Sequence, residues 1–98
     1  MNHLWFDKFV PRYFNLKSKR VSDIKQLLEA LKTRKVPVLL VKNSVYKQEP
    51  ENKDSHFVCL MGIDKHGYHL YDPESSKIVR CEFERIHKSI RIGWIISK

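Results

Sequence analysis

The spacing of apolar positions changes period several times along the chain, and each change marks an element. Ile24, Leu27, Leu28 and Leu31 recur at helical spacing, which predicts an amphipathic helix over Val21 to Lys35 with one apolar stripe turned to a sheet. Ser22 reads as its N-cap, Asp23 suits the positive helix end, and Lys32, Arg34 and Lys35 suit the negative one. Val36 to Lys42 follows at once. Val38, Leu39, Leu40 and Val41 are apolar without alternation, which predicts a central strand covered on both faces, with Pro37 near its start. Asn43 to Ser55 then turns polar and reads as a solvent loop with no packing signal.

The next stretch, His56 to Pro73, reads as a β-hairpin and organises the rest. Two apolar-rich runs, His56 to Ile63 and Tyr68 to Tyr71, flank a three-residue Lys65-His66-Gly67 loop in which Gly67 is expected to take the left-handed conformation. That loop sets Asp64 opposite Tyr68 and Leu60 opposite Asp72, so His56, Val58, Leu60 and Asp72 share one face. A histidine and a carboxylate on one side are what an acid-oriented imidazole requires. In an ideal ladder, however, Asp72 lies about 13 Å along the strand from His56 at roughly 3.3 Å per residue, so contact needs a bulge or strong coiling.

Downstream, Asp72 to Ser76 reads as a turn, Lys77 to Glu82 as a short strand, Phe83 to His87 as a helical turn and Arg91 to Ile96 as a closing strand with Trp94 in the core. Upstream, Met1 to Arg20 interleaves rings with cations. Trp5, Phe9, Tyr13 and Phe14, with Lys17, Lys19 and Arg20, form a candidate binding segment. Such rings can stack on bases while the cations meet phosphate, or they can pin the segment to the domain or a partner with the cations in water. The second reading is preferred, because large rings left exposed invite aggregation.

Composition narrows the function classes. A chain of 98 residues is one domain, and its apolar content is that of a globular protein. The division expected is an aromatic and basic segment over 1–20 and a folded unit over 21–98. A net charge of +8 favours an acidic partner or surface, without the motif of a nucleic-acid binder. Cys59 and Cys81 lack zinc-knuckle spacing, and free thiols in a reducing, cytoplasmic setting are expected. No signal-peptide core and no run of membrane-spanning length is present, so no membrane partner is expected. His3, His56, His66, His69 and His87 lack metal-ligand spacing, and there is no glycine-rich phosphate loop. No metal and no cofactor are expected.

The order helix, Val-Pro-Val-Leu-Leu-Val, polar loop, His-Phe-Val-Cys-Leu-Met-Gly-Ile-Asp, turn, Tyr-Asp-Pro, helical turn, Gly-Trp-Ile-Ile resembles the C-terminal half of C39-like, papain-fold cysteine peptidases. The resemblance runs from about Val21 to Lys98. It implies that His56 matches the general base and Asp72 the acid that orients it. The cysteine nucleophile of that family lies well upstream of the histidine at a helix start, after an oxyanion-hole glutamine. Here Met1 to Ser55 contains no cysteine, and Gln26 and Gln48 lie in other places. Cys59 follows His56 by three residues on one strand and so points to the opposite face.

The fold expected is α+β, an antiparallel sheet of four or five strands with one main helix packed on one face, similar to the sheet half of a papain-like fold. The function expected is that of a non-catalytic C39-like domain that binds a peptide or protein segment near His56, the His56 and Asp72 pair being vestigial. Two alternatives stand beside it. One is half of a split or truncated cysteine peptidase, with the nucleophile from another segment or chain; a homodimer is a separate expectation for the assembly of the chain. The other is a small basic nucleic-acid-binding or anti-defence protein.

Overall fold

The computed structural model describes residues 16–98; Trp5, Phe9, Tyr13 and Phe14 of the candidate binding segment lie outside the described residues. Six strands form one sheet, β1 (Lys17–Val21), β2 (Val36–Lys42), β3 (Ser55–Asp64), β4 (Gly67–Asp72), β5 (Lys77–Cys81) and β6 (Ile90–Ser97). Their order across the sheet is β1-β6-β2-β3-β4-β5, and every neighbouring pair is antiparallel. Three helices join them: α1 (Ile24–Lys32), α2 (Asn43–Tyr46) and α3 (Phe83–Ser89). The architecture is α+β, with one strand more than the expected four or five. The extra strand is β1, whose pairing with β6 draws Lys17, Lys19 and Arg20 into the sheet edge. None of the described helices is long and apolar enough to cross a membrane.

Burial follows directly from the patterning. Strand β2 sits in the middle of the sheet and alternates between two cores. Leu39 and Val41 join Leu27, Tyr46, Val58, Leu60, Leu70 and Ile86 on the helix-covered face. Val38 and Leu40 join Phe57 and Trp94 on the other. The unalternating run is thus explained by two apolar faces. Trp94 is fully buried and meets Phe57 edge-on at 5.6 Å between ring centroids, a favoured aromatic geometry.

Helix α1 starts later than its apolar period suggests. Val21 is taken by the sheet, where it pairs with Gly93, and Asp23 rather than Ser22 caps the helix by accepting from the Lys25 N–H at 2.9 Å. At the far end Arg34 adopts a left-handed φ of 60°, and the Arg34 and Lys35 N–H groups donate back to Leu31 and Ala30. This is a Schellman stop built without glycine.

The hairpin differs from expectation in a way that matters for the site. The turn is two residues, Lys65-His66, closed by the pair Asp64 and Gly67. Asp64 Oδ1 accepts from the His66 and Gly67 N–H groups at 2.7 and 3.1 Å, which stabilises the turn, and Gly67 has no positive φ. Glycine is required there for space: a Cβ at residue 67 would lie 2.3 Å from the Cys81 carbonyl oxygen of β5. Between Leu60 and Gly62 the ladder shifts, so that Leu60 pairs with Leu70 and Cys59 with Tyr71. The shorter turn and this bulge each advance β4 by one residue. Carried on, that register puts Asp72 opposite Val58 rather than Leu60.

Candidate functional site

Two residues of advance along a strand amount to roughly 6.6 Å at a rise of 3.3 Å per residue, and they convert a remote pair into diagonal neighbours. His56 and Asp72 stand on the helix-covered face, both buried, with His56 Nε2 3.3 Å from Asp72 Oδ2. The expected shared face is therefore present, and the bulge supplies the contact that an ideal hairpin withholds.

The pair is completed from the stretch read as a featureless loop. His56 pairs across the ladder with Val41, so the chain leaving β2 passes beside the imidazole. There it forms the short helix α2, whose first and last residues, Asn43 and Tyr46, are three apart and face the same way. Both are buried, contrary to the solvent loop predicted for this stretch. The Asn43 Oδ1 atom makes a short contact with His56 Nδ1. The Tyr46 hydroxyl donates to Asp72 Oδ2 at 3.2 Å, and its ring stands edge-on to the imidazole at 5.0 Å. Burial, and then the charge of Asp72, push the Tyr46 hydroxyl above the usual phenol range, so it stays a donor. The other Asp72 oxygen accepts from the Glu74 backbone N–H at 3.0 Å.

The site opens on one side into a cleft of about 560 Å³. Asn43, His56, Ser55, Lys47, Glu74 and Arg91 are among its lining residues. The Lys47 ammonium pairs with Glu74 at 2.7 Å, which holds the lysine above its ordinary pKa, and Arg91 donates to the Ser55 hydroxyl at 3.2 Å. The cleft is polar, and both signs of charge meet in it.

Each imidazole nitrogen faces an oxygen. A neutral ring carries a single N–H, so the arrangements that satisfy the site include a doubly protonated ring, a turned Asn43 amide that presents its NH₂ to Nδ1, and a cation shared by Nε2 and the neighbouring carboxylate. In the His–acid logic of nucleophilic catalysis, one nitrogen takes the acid and the other takes the nucleophile's proton. Here the second place is filled by Asn43.

Neither thiol is among the partners of the ring. Cys59 pairs with Tyr71 and Val38 and packs with the second core, on the face away from His56, as its spacing predicts. Cys81 is buried in the first core on β5. Burial pushes both thiols above their ordinary pKa, and at Cys81 it outweighs the opposing pull of Arg85. Such sulfurs are protonated at neutral pH and are poor nucleophiles.

Of the residues singled out from sequence, the structure brings together His56 and Asp72. The side chains of Lys17, Lys19 and Arg20 are exposed on the far edge strand, four strands away from β4, and Arg20 lies over the Trp94 ring at 5.9 Å. Asn43, Tyr46 and Glu74 belong to the site without a motif that marks them in the sequence. The available signal was an asparagine and a tyrosine three apart just after a buried strand. Comparison of the chain with known protein families, curated proteins and solved structures finds no match.

Proposed function

We propose that this chain is a non-catalytic relative of the C39-like peptidases that binds a peptide or protein segment in the cleft beside His56. The observation that carries this reading is the Asn43 amide on His56 Nδ1, which fills the place a nucleophile needs while Asp72 holds the other nitrogen. The rest of the cleft supports it. Ser55, Asn52 and Arg91 line it and offer donors and acceptors suited to the main chain and polar side chains of an extended segment. The base and its acid persist in this reading as a buried polar anchor that holds β3, β4 and α2 in register around the cleft.

The test is selection of a displayed random-peptide library on the purified chain, followed by affinity measurements and mass spectrometry of the selected peptides after incubation. The expected result is peptides that bind, remain intact, and lose affinity when the mouth is filled by Ser55→Trp. Peptides cleaved by the wild-type chain and spared by His56→Gln overturn the non-catalytic reading. Selected peptides indifferent to Ser55→Trp overturn the placement in this cleft.

A further inference from the structure

The oxygens around His56 point to a ligand that the resemblance to cysteine peptidases does not supply. Asp72 Oδ2 is 3.3 Å from Nε2, long for a charge-assisted hydrogen bond, which is usually about 2.7–2.9 Å. Two atoms each about 2.0–2.1 Å from a common tetrahedral centre are themselves separated by roughly 3.3 Å. Glu74 follows two residues after Asp72, in the turn that Asp72 Oδ1 ties down through the Glu74 N–H. One ligand atom each from His56, Asp72 and Glu74 lies within 4.8 Å of the others.

We propose that His56, Asp72 and Glu74 bind a divalent transition-metal ion, with zinc the cation best suited to one imidazole nitrogen and two carboxylate oxygens. The surroundings fit the role. With its amide oxygen toward Nδ1, as it stands here, Asn43 would accept from Nδ1–H, which in the metal-bound form leaves the Nε2 lone pair to the ion. Tyr46 and the Glu74 main chain hold the Asp72 carboxylate on both oxygens. His56 and Glu74 line the cleft, which gives the ion a way in and leaves its fourth position open to water or a ligand oxygen. The Lys47 ammonium, 2.7 Å from Glu74 Oε1, is the resident cation and competes with the metal for that carboxylate. The proposal stands apart from peptide binding, which can be measured in the presence of a chelator.

The experiment is titration of the full chain with zinc against a chromophoric chelator at neutral pH, with thermal unfolding in parallel. The expected result is one equivalent bound and a raised Tm, since a ligand held by the native state alone stabilises it. Glu74→Gln, at an exposed position, weakens binding at least ~10-fold, and loss of the supporting partner in Asn43→Leu weakens it ~10- to 100-fold. Lys47→Met tightens binding by removing the competitor, an effect that no merely structural role of Lys47 produces. Circular dichroism of each variant separates these changes from misfolding. Zinc binding untouched by Glu74→Gln and lost on replacing His69, which would place the ion at Asp64 and His69, overturns the assignment. So does the absence of zinc binding to the folded wild-type chain.

Discussion

Asp72 reaches His56 across the sheet, its Oδ2 3.3 Å from Nε2, because a two-residue turn and a bulge after Leu60 together slide β4 by two positions. The relationship is non-local in origin although both residues belong to one hairpin. It is held in place by a third element, since the Tyr46 hydroxyl on the same Asp72 oxygen fixes the carboxylate from the side of α2.

Removing that hydroxyl tests how far the site depends on α2. Tyr46→Phe keeps the buried ring and deletes one hydrogen bond to a buried carboxylate, a class of interaction that contributes about 1.5–3 kcal/mol. The expected outcome in urea denaturation is a loss of that order with an unchanged m-value. The Asp72→Asn, Tyr46→Phe double variant should lose less than the sum of the two single changes, because the hydroxyl and the carboxylate act as a unit.

The hairpin tip has its own acid dependence. The hydrogen bond from His69, then those from the His66 and Gly67 backbone and the charge of Arg80, hold Asp64 down at about 2 against an ordinary 3.8. A depressed carboxylate pKa stabilises the fold above the unfolded value, and that contribution is lost as pH falls through the folded value. The Tm difference between the wild-type chain and Asp64→Asn should therefore be full above about pH 4 and shrink towards pH 2. A difference that stays constant across that window would assign the role of Asp64 to turn geometry alone.

Two glycines separate a rigid close approach from a forgiving one. At Gly67 a methyl group would meet the Cys81 carbonyl oxygen, a backbone atom, at 2.3 Å, whereas at Gly93 it would meet the Leu27 side chain at 2.9 Å. Gly67→Ala must push β5 away from β4, and Gly93→Ala needs a rotamer change of Leu27. Overpacking costs about 1–3 kcal/mol where neighbours can shift. Gly67→Ala should lie at or beyond the top of that range, with fast amide exchange in β5, and Gly93→Ala near the bottom.

Much of this fold is legible in the chain because its strong periods are local. The Val38 to Val41 run announces a strand with two buried faces, and both cores use it. The shared face of His56 and Asp72 follows from parity. Their contact does not, because the bulge at Met61 and the turn length depend on how Asp64 ties the tip and on the close fit of Gly67 against β5. Asn43 and Tyr46 were hidden for a different reason. Two polar-capable residues in a charged stretch give no apolar period, and their burial is decided by an imidazole and a carboxylate that lie 13 and 26 residues further on. Strand β1 was masked by its lysines and arginine, which suit an exposed edge that must not recruit further strands.

The place beside His56 Nδ1 that Asn43 occupies can be offered to sulfur. Its side chain starts from the first turn of α2, is buried, and already reaches His56 Nδ1. Asn43→Cys would set a thiol beside an imidazole backed by Asp72, the arrangement that draws a cysteine pKa down from about 8.5 towards 3.5–7.5 by pairing thiolate with imidazolium. The rate of alkylation by iodoacetamide against pH reads this directly. The wild-type chain, whose two thiols are raised by burial, should react slowly at neutral pH. Asn43→Cys should show one fast-reacting thiol titrating below 7.5, and adding His56→Gln should return that thiol to the ordinary range near 8.5. A new thiol that titrates normally with His56 intact would mean that the imidazole is not poised to accept its proton, and the reading of His56 as a former general base would fall with it.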